Sequence, residues 1–257
     1  MDGGPDDHPV APPAEGEPLG PPDLIRGGPQ LIPRPPDWRL GDPAPWAALD
    51  ARLRSPTLAE VRQRLLARLP ADPSDEALAA LGGAERSSAV LVALHDDPGG
   101  PHVVLTRRSW NLRAHRGEIS FPGGRAEPHD PDLRATALRE SAEEVGLDPH
   151  GVEILGCLDP LSTVSSRSMI VPYVAILPGR PDLVPDPREV EEIRHVALAE
   201  LLADGVYREE RWRRDGVERA LWFFELHGDT VWGATAAMLR QLLVLVTGVD
   251  ATHPATS

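Results

Sequence analysis

Three glutamates, Glu140, Glu143 and Glu144, fall within one helical turn just downstream of a glycine-rich loop, and they constrain this chain more than any other feature. Residues at i, i+3 and i+4 share one face of a helix, where like charges destabilise an isolated helix by roughly 0.2–0.5 kcal/mol per pair. The face therefore needs a positive counter-charge. Carboxylate oxygens suit a hard cation that keeps its water, Mg²⁺ or Mn²⁺, and such a cation usually accompanies a phosphate-bearing substrate. Arg139, four residues before Glu143, can orient that carboxylate or balance its charge.

The local sequence delimits the helix that carries them. Asp130-Pro131 is a good start, a capping carboxylate followed by a proline whose missing N–H is not needed at the first position. Gly146 is a stop in the left-handed conformation, which predicts a helix over about 131–145 with Leu133, Ala137, Leu138, Ala142 and Val145 available for burial. Upstream, Gly123-Gly124 follows a short strand, Ile119–Phe121, and the lack of side chains lets backbone atoms approach a ligand or metal.

The run from Gly124 through Arg139-Glu140, Glu143-Glu144 and Gly146-Leu147 resembles the Nudix box, the loop-helix-loop signature of hydrolases that cleave nucleoside diphosphates linked to another moiety. Two positions depart from the family pattern. Asp130 stands in the glutamate slot, with one additional residue before Arg139, and Ser141 stands in the hydrophobic slot after Glu140. These departures bear on a peripheral salt bridge, whereas the metal-binding turn is intact. Residues 105–124, LTRRSWNLRAHRGEISFPGG, resemble a second signature of the coenzyme A pyrophosphatase branch, and the lengthened box is also a feature of that branch. Together the motifs span residues 103–147, and the likeness extends loosely over about 85–247.

The resemblance implies a Nudix-type α/β/α sandwich with a mixed sheet, and Mg²⁺- or Mn²⁺-dependent hydrolysis of the CoA diphosphate to 3′,5′-ADP and 4′-phosphopantetheine. Carried over by position, Glu140 and Glu144 would be metal ligands, Glu143 a further ligand or a base, and the Gly124 carbonyl would complete the coordination. Arg107, Arg108, Arg113, His115 and Arg116 are candidates to meet the diphosphate and the 3′-phosphate, because the guanidinium fork suits phosphate oxygens. Glu118 is expected to support the site structurally, with a role as another base as the alternative. The polar stretch Ser162–Met169 is a candidate for holding the pantetheine arm. A Nudix pyrophosphatase for NADH, ADP-ribose or a related dinucleotide shares the box but does not call for the 105–124 signature. A non-catalytic nucleotide-binding module would be marked by loss of a box carboxylate, and none is lost.

The remainder of the chain supplies the frame. Residues 1–43 are rich in proline and glycine, acidic and poor in large apolar groups, which predicts a disordered tail whose removal through residue 40 leaves catalysis nearly unchanged. Residues 44–84 form a helical lead-in of two short helices, one with Trp46, Leu49 and Leu53 on a face and one with Leu58, Val61, Leu65, Leu66 and Leu69. Residues 85–249 form the catalytic domain, and 250–257 a loose end. Within it, Ser88–Leu94 and His102–Thr106 form a hairpin around DDPGGP, followed after the box by strands at 152–158, 169–177, 189–196, 207–213 and 220–226, the last two turned at Asp215-Gly216. A short helix at 198–202 and a final helix at 234–246 complete it.

A net charge of −14 argues against nucleic-acid or anionic-membrane partners, leaving a small-molecule substrate served by local cations. The single cysteine, Cys157, excludes an intrachain disulfide and reads as a small buried group. The acidic, proline-broken N-terminus lacks a secretory pattern, so a cytoplasmic setting is expected.

Overall fold

Apolar runs on either side of Pro98-Gly99 pair as the predicted hairpin, β2 (Ser87–Asp97) and β3 (Gly100–Arg108), in a computed structural model that describes residues 26–80, 87–162, 169–214 and 216–249. β2 is buried over seven consecutive residues, the pattern of a strand covered on both faces. Its alternation divides two cores. Val90, Val92 and Leu94 join one cluster, and Ala89, Leu91 and Ala93 the other. β8 (Met169–Ile176) runs parallel to β2, and β9 (Val190–Ala197) runs antiparallel to β3. With β4 (Ile119–Ser120), β5 (Gly123–Arg125), β6 (Glu153–Cys157) and β7 (Leu161–Ser162) they form an eight-stranded mixed sheet of order β4-β3-β2-β8-β6, with β5 on β2, β7 on β8 and β9 on β3.

Helix α3 (Leu133–Val145) closes the core of Ala89 and Leu91, while α1 (Leu58–Leu66) and α5 (Gly233–Thr247) close the other. The result is the expected α/β/α sandwich. Thr57 and Glu60 form a reciprocal capping box at the start of α1, which buries Val61 and Leu65. The preceding helix expected around Trp46 is reduced to turns and a 3₁₀ segment, Ala51–Arg54. Trp46 alone of that face is fully buried, edge-on to Tyr207 at 5.3 Å, whereas Leu53 remains 49% exposed. A short α2 (Asp75–Ala80) follows, and α4 (Leu198–Leu201) caps β9.

The strands expected at 207–213 and 220–226 form, but in a separate antiparallel sheet and not in the one mixed sheet expected: β1 (Arg39–Leu40), β10 (Tyr207–Arg214), β11 (Val217–Leu226) and β12 (Asp229–Trp232), in the order β1-β10-β11-β12. This second sheet also corrects the expected tail. Residues 26–43 pack on this sheet through polar contacts. Arg34 makes two hydrogen bonds, of 2.9 and 2.7 Å, to the fully buried Glu210, and the Gly41 N–H donates to the Glu209 carbonyl at 2.8 Å. A proline-rich segment can thus be held by satisfying buried carboxylates instead of by burying apolar surface. The first 25 residues of the expected tail, the stretches 81–86 and 163–168, Asp215 and the end at 250–257 lie outside the described residues. Cys157 is buried, with its thiol pushed up to about 11 by that burial. Among the described residues no helix is long and apolar enough to cross a membrane.

Candidate active site

The site forms where β5 and α3 are drawn together by two glycines. β5 pairs with β2 in the register Ala89↔Gly124 and Val90↔Gly123. A Cβ on Gly123, whose φ is +151°, would lie 2.4 Å from the Ala89 carbonyl oxygen, so only glycine permits this approach. A Cβ on Gly124 would lie 2.4–2.5 Å from the carboxyl atoms of Glu140, which places that side chain directly over the strand.

Helix α3 begins two residues later than predicted. Its cap is Asp132, whose carboxylate accepts from the Ala135 N–H at 2.8 Å. Asp130 is thereby released from capping and takes the Arg139 guanidinium in two bonds of 2.9 and 3.0 Å, with the Thr136 hydroxyl donating at 2.9 Å. Arg139 holds the Asp130 carboxyl well below the usual carboxylate range. The salt bridge that the box departures put in question is therefore intact, with the shorter aspartate and the extra residue compensating each other. Ser141 occupies its apolar slot fully buried, its hydroxyl satisfied by the Ala137 carbonyl at 2.7 Å. Gly146 ends the helix with φ of +67°, as expected.

The three glutamates do not converge equally. Glu144 is 5% exposed, accepts from the Gly123 N–H at 3.0 Å and lies 3.8 Å from Arg108 Nη1. Burial pushes its carboxyl up to about 7, against the pull of Gly123 and Arg108. Glu140 is partly buried and also raised, burial again being the main cause. Glu143 turns to the surface, 60% exposed, and meets Arg139 Nη1 at 3.1 Å; the same nitrogen lies 3.1 Å from Glu140. Glu143 thus stands apart from the other two. Arg139 supplies part of the counter-charge, and among the described residues no three acidic, histidine or cysteine side chains stand together as a metal-holding set. Two raised carboxylates facing a diglycine strand nevertheless form a donor set short of positive charge, which fits a hard cation.

Alternation along β3 separates the two arginines expected to bind substrate. Arg108 faces Glu144, its buried Nε without a hydrogen-bond partner among the described residues. Arg107 points to the other face and is consumed there. It donates to the fully buried Asp229 at 2.9 and 2.8 Å and pairs with Glu192 at 2.8 Å, which corrects its expected role in meeting phosphate. Arg113, His115 and Arg116 lie exposed on the loop between β3 and β4. His115 has φ of +54°, uncommon for a residue with a side chain, and its Nδ1 lies 3.0 Å from Glu118 Oε2. Arg113 and Arg116 make no side-chain hydrogen bond or ion pair among the described residues.

One acidic residue was missed. Glu189, at the foot of β9, is near enough for its charge to raise both Glu140 and Glu144, and its carbonyl accepts from the Ser109 N–H at 2.8 Å. The sequence carried no signal for it beyond a place at a strand boundary. It is brought in by the loop after β8, where the Val184 and Asp186 N–H groups bond the last carbonyls of α3.

These features agree with what the chain is similar to. The family model described as NUDIX domain matches residues 85–218. A protein of Photorhabdus laumondii, named uncharacterized Nudix hydrolase NudL, is 36% identical over 186 residues, covering 72% of this chain and 96% of that protein. Nudix hydrolase 22, chloroplastic, of Arabidopsis thaliana is 36% identical over 178 residues, 66% of this chain and 59% of that protein. Among solved structures, a MutT/nudix family protein from Enterococcus faecalis matches with a TM-score of 0.43 at 17% identity, covering 78% of this chain and 80% of that one. The chain belongs to the Nudix hydrolase family. It is a diphosphatase of that class, acting on nucleoside diphosphate derivatives.

Gly124→Ala tests the geometry directly. Gly124 does not have a positive φ and its nearest neighbours are the mobile end of Glu140, so the fold should tolerate the added methyl while Glu140 is displaced. Turnover is expected to fall about 100-fold, since a misplacement of about 1 Å at a reacting site can cost that much. Initial rates together with a melting curve check it; an active variant would remove Glu140 from the site.

Proposed function

We propose that this chain hydrolyses the diphosphate bond of coenzyme A or its derivatives, with Mg²⁺ or Mn²⁺, to 3′,5′-ADP and 4′-phosphopantetheine or its acyl form. The observation that carries the reading is the position of the 105–124 segment. It forms β3, the loop and β4 as one unit, sets Arg108 against Glu144, and leaves Arg113 and Arg116 on the adjoining loop without an ion pair among the described residues. Guanidinium groups beside a carboxylate site suit a substrate with a diphosphate and a further phosphate.

Glu140 and Glu144 would hold the cation, with the Gly124 carbonyl and Glu143 as further donors. Bound there, it would supply neutralisation of diphosphate charge and acidification of a water. The chain's own groups do the rest: Arg108 orients phosphate oxygens, Arg139 holds α3 against β5 through the Arg125 carbonyl while Asp130 fixes its guanidinium, and Glu143 and Glu189 stand as acidic groups able to accept a proton.

The test is incubation of the full chain with Mg²⁺ or Mn²⁺ and CoA, dephospho-CoA, NADH or ADP-ribose, with products identified by mass spectrometry. CoA is expected to give 4′-phosphopantetheine, and the double variant Arg113→Ala/Arg116→Ala is expected to raise KM for CoA about tenfold, more than for dephospho-CoA, as charge-assisted phosphate contacts are lost. Absence of 4′-phosphopantetheine under either metal overturns the reading.

A further inference from the structure

Gln30 lies far from both motifs in sequence, yet it reaches the loop between β3 and β4. Its side chain is 7% exposed and uses both ends of the amide. Nε2 donates to the Gly117 carbonyl at 3.0 Å and to Asp229 Oδ1 at 2.8 Å, while Oε1 accepts from the Thr230 N–H at 2.8 Å. One side chain thus ties β12 of the second sheet to residue 117 of the loop. The same Asp229 receives Arg107, so the strand residue before the loop and the Gln30 amide that holds Gly117 share a single buried carboxylate.

The segment bearing Gln30 is placed with little freedom. The Gly27 N–H bonds the Leu226 carbonyl at 2.8 Å, and the Gly28 N–H bonds the Thr230 hydroxyl at 3.1 Å. A Cβ on Gly28 would lie 2.4 Å from Gln30 Oε1 and 2.5 Å from the Asp229 Cα, so the chain passes too closely for a side chain there. Arg34, on Glu210, fixes the other side.

The loop itself has few other restraints. Gly117 N–H bonds the Arg108 carbonyl at 3.0 Å, Leu112 N–H the Ser109 carbonyl at 3.3 Å, and Glu118 N–H the His115 carbonyl at 3.3 Å, all within the loop or at its base. Trp110 covers Gly117, where a Cβ would lie 2.3 Å from the indole ring. Among the described residues, Gln30 is the one side chain from elsewhere in the chain that hydrogen-bonds residues 110–117.

We propose that Gln30 is a positioning residue of the active site, and that the arm around it, 26–34, holds the 109–118 loop in its substrate-binding conformation through the Gly117 carbonyl. The role in binding CoA rests on the function proposed above; the role in ordering the loop does not. It replaces the expectation that residues 1–40 are dispensable for catalysis. Without Gln30 the Gly117 carbonyl loses its anchor, and Arg113, His115 and Arg116 lose the fixed backbone on which they are presented.

The experiment compares the full chain with Gln30→Met, which keeps the volume but neither donates nor accepts these bonds, and with Leu31→Ala as a control, a residue 73% exposed. Backbone amide exchange is measured without substrate, and kinetics on whichever diphosphate the unmodified chain cleaves. In Gln30→Met the amides of 110–118 should exchange about tenfold faster with those of α3 unchanged, as expected when a local opening is made easier. KM should rise about tenfold while kcat stays within about twofold, the signature of a lost ground-state binding contribution. Should Gln30→Met fail to fold, Gln30→Asn, which keeps the amide but is one methylene short, is expected to give the same changes at smaller size. Loop exchange equal to that of the unmodified chain overturns the proposal, and so does a lowered melting temperature with KM unchanged. If the unmodified chain cleaves ADP-ribose but not CoA, the CoA reading fails while the exchange result still decides the role of Gln30.

Discussion

Glu144→Gln should reduce turnover by about 100- to 1000-fold, the range seen when one preorganised charge-stabilising group is removed from an active site, without lowering the melting temperature. The two halves of this expectation have one cause. Glu144 is 5% exposed and its carboxyl is pushed up to about 7, so the Gly123 N–H and Arg108 offset only part of the cost of the ionised form, and a bound cation would offset more. Glutamine has the same shape, no charge, and an amide oxygen that can still accept from the Gly123 N–H. Its substitution relieves burial of charge and, on the proposed function, removes a ligand. Mn²⁺ should accordingly raise the melting temperature of the unmodified protein and leave that of the variant unchanged, because a ligand stabilises only the state that binds it. Full activity in Glu144→Gln would show that the cation is held elsewhere, and a large loss of stability would make Glu144 a structural residue.

The parts of the fold legible in the sequence were those governed by periodicity and local stereochemistry. The hairpin around Pro98-Gly99, helix α3 with its Gly146 stop, α1 and α5 all follow from apolar spacing and turn residues. Strands β10 and β11 were legible from their runs and the turn between them, but their separation from the main sheet, with β1 and β12 at the edges, was not, because this sheet buries charge. Glu209 and Glu210 sit at the centre of β10 and are satisfied by Arg211, Arg34, Arg208 and the indole N–H groups of Trp222 and Trp212. An alternation of charged residues resembles a solvated surface until the partners are known, and Arg34 lies in a segment whose prolines argued for disorder. The site divides in the same way. That Glu140 and Glu144 share one helical turn was readable from spacing, and that a glycine strand lies against Glu140 from the diglycine that lets backbone approach closely. Glu189 near Glu140 and Glu144, and Gln30 on the Gly117 carbonyl, are brought in by tertiary contacts across long stretches of chain, which no local pattern encodes.

Arg107→Met is expected to destabilise the protein by about 3 kcal/mol, near the lower end for breaking a buried ion pair. As phosphate-binding candidates Arg107 and Arg108 looked equivalent, but adjacent residues of a strand face opposite ways, and only one of the two faces the carboxylate site. Arg107 gives two bonds to Asp229, which is fully buried, and a third contact to Glu192. Removing the guanidinium leaves Asp229 with Gln30 and with Arg194, whose Nε lies 3.6 Å away. Those contacts hold the loss near the bottom of the range. For a folded domain of this size the melting temperature should fall by about 6–12 °C. Arg107→Lys should restore only part of it, because an ammonium cannot reproduce two parallel N–H bonds. The double variant Arg107→Met/Asp229→Asn should lose less than the two single losses combined, since the second change removes the charge that the first leaves stranded. An unchanged melting temperature with a raised KM would instead return Arg107 to the substrate.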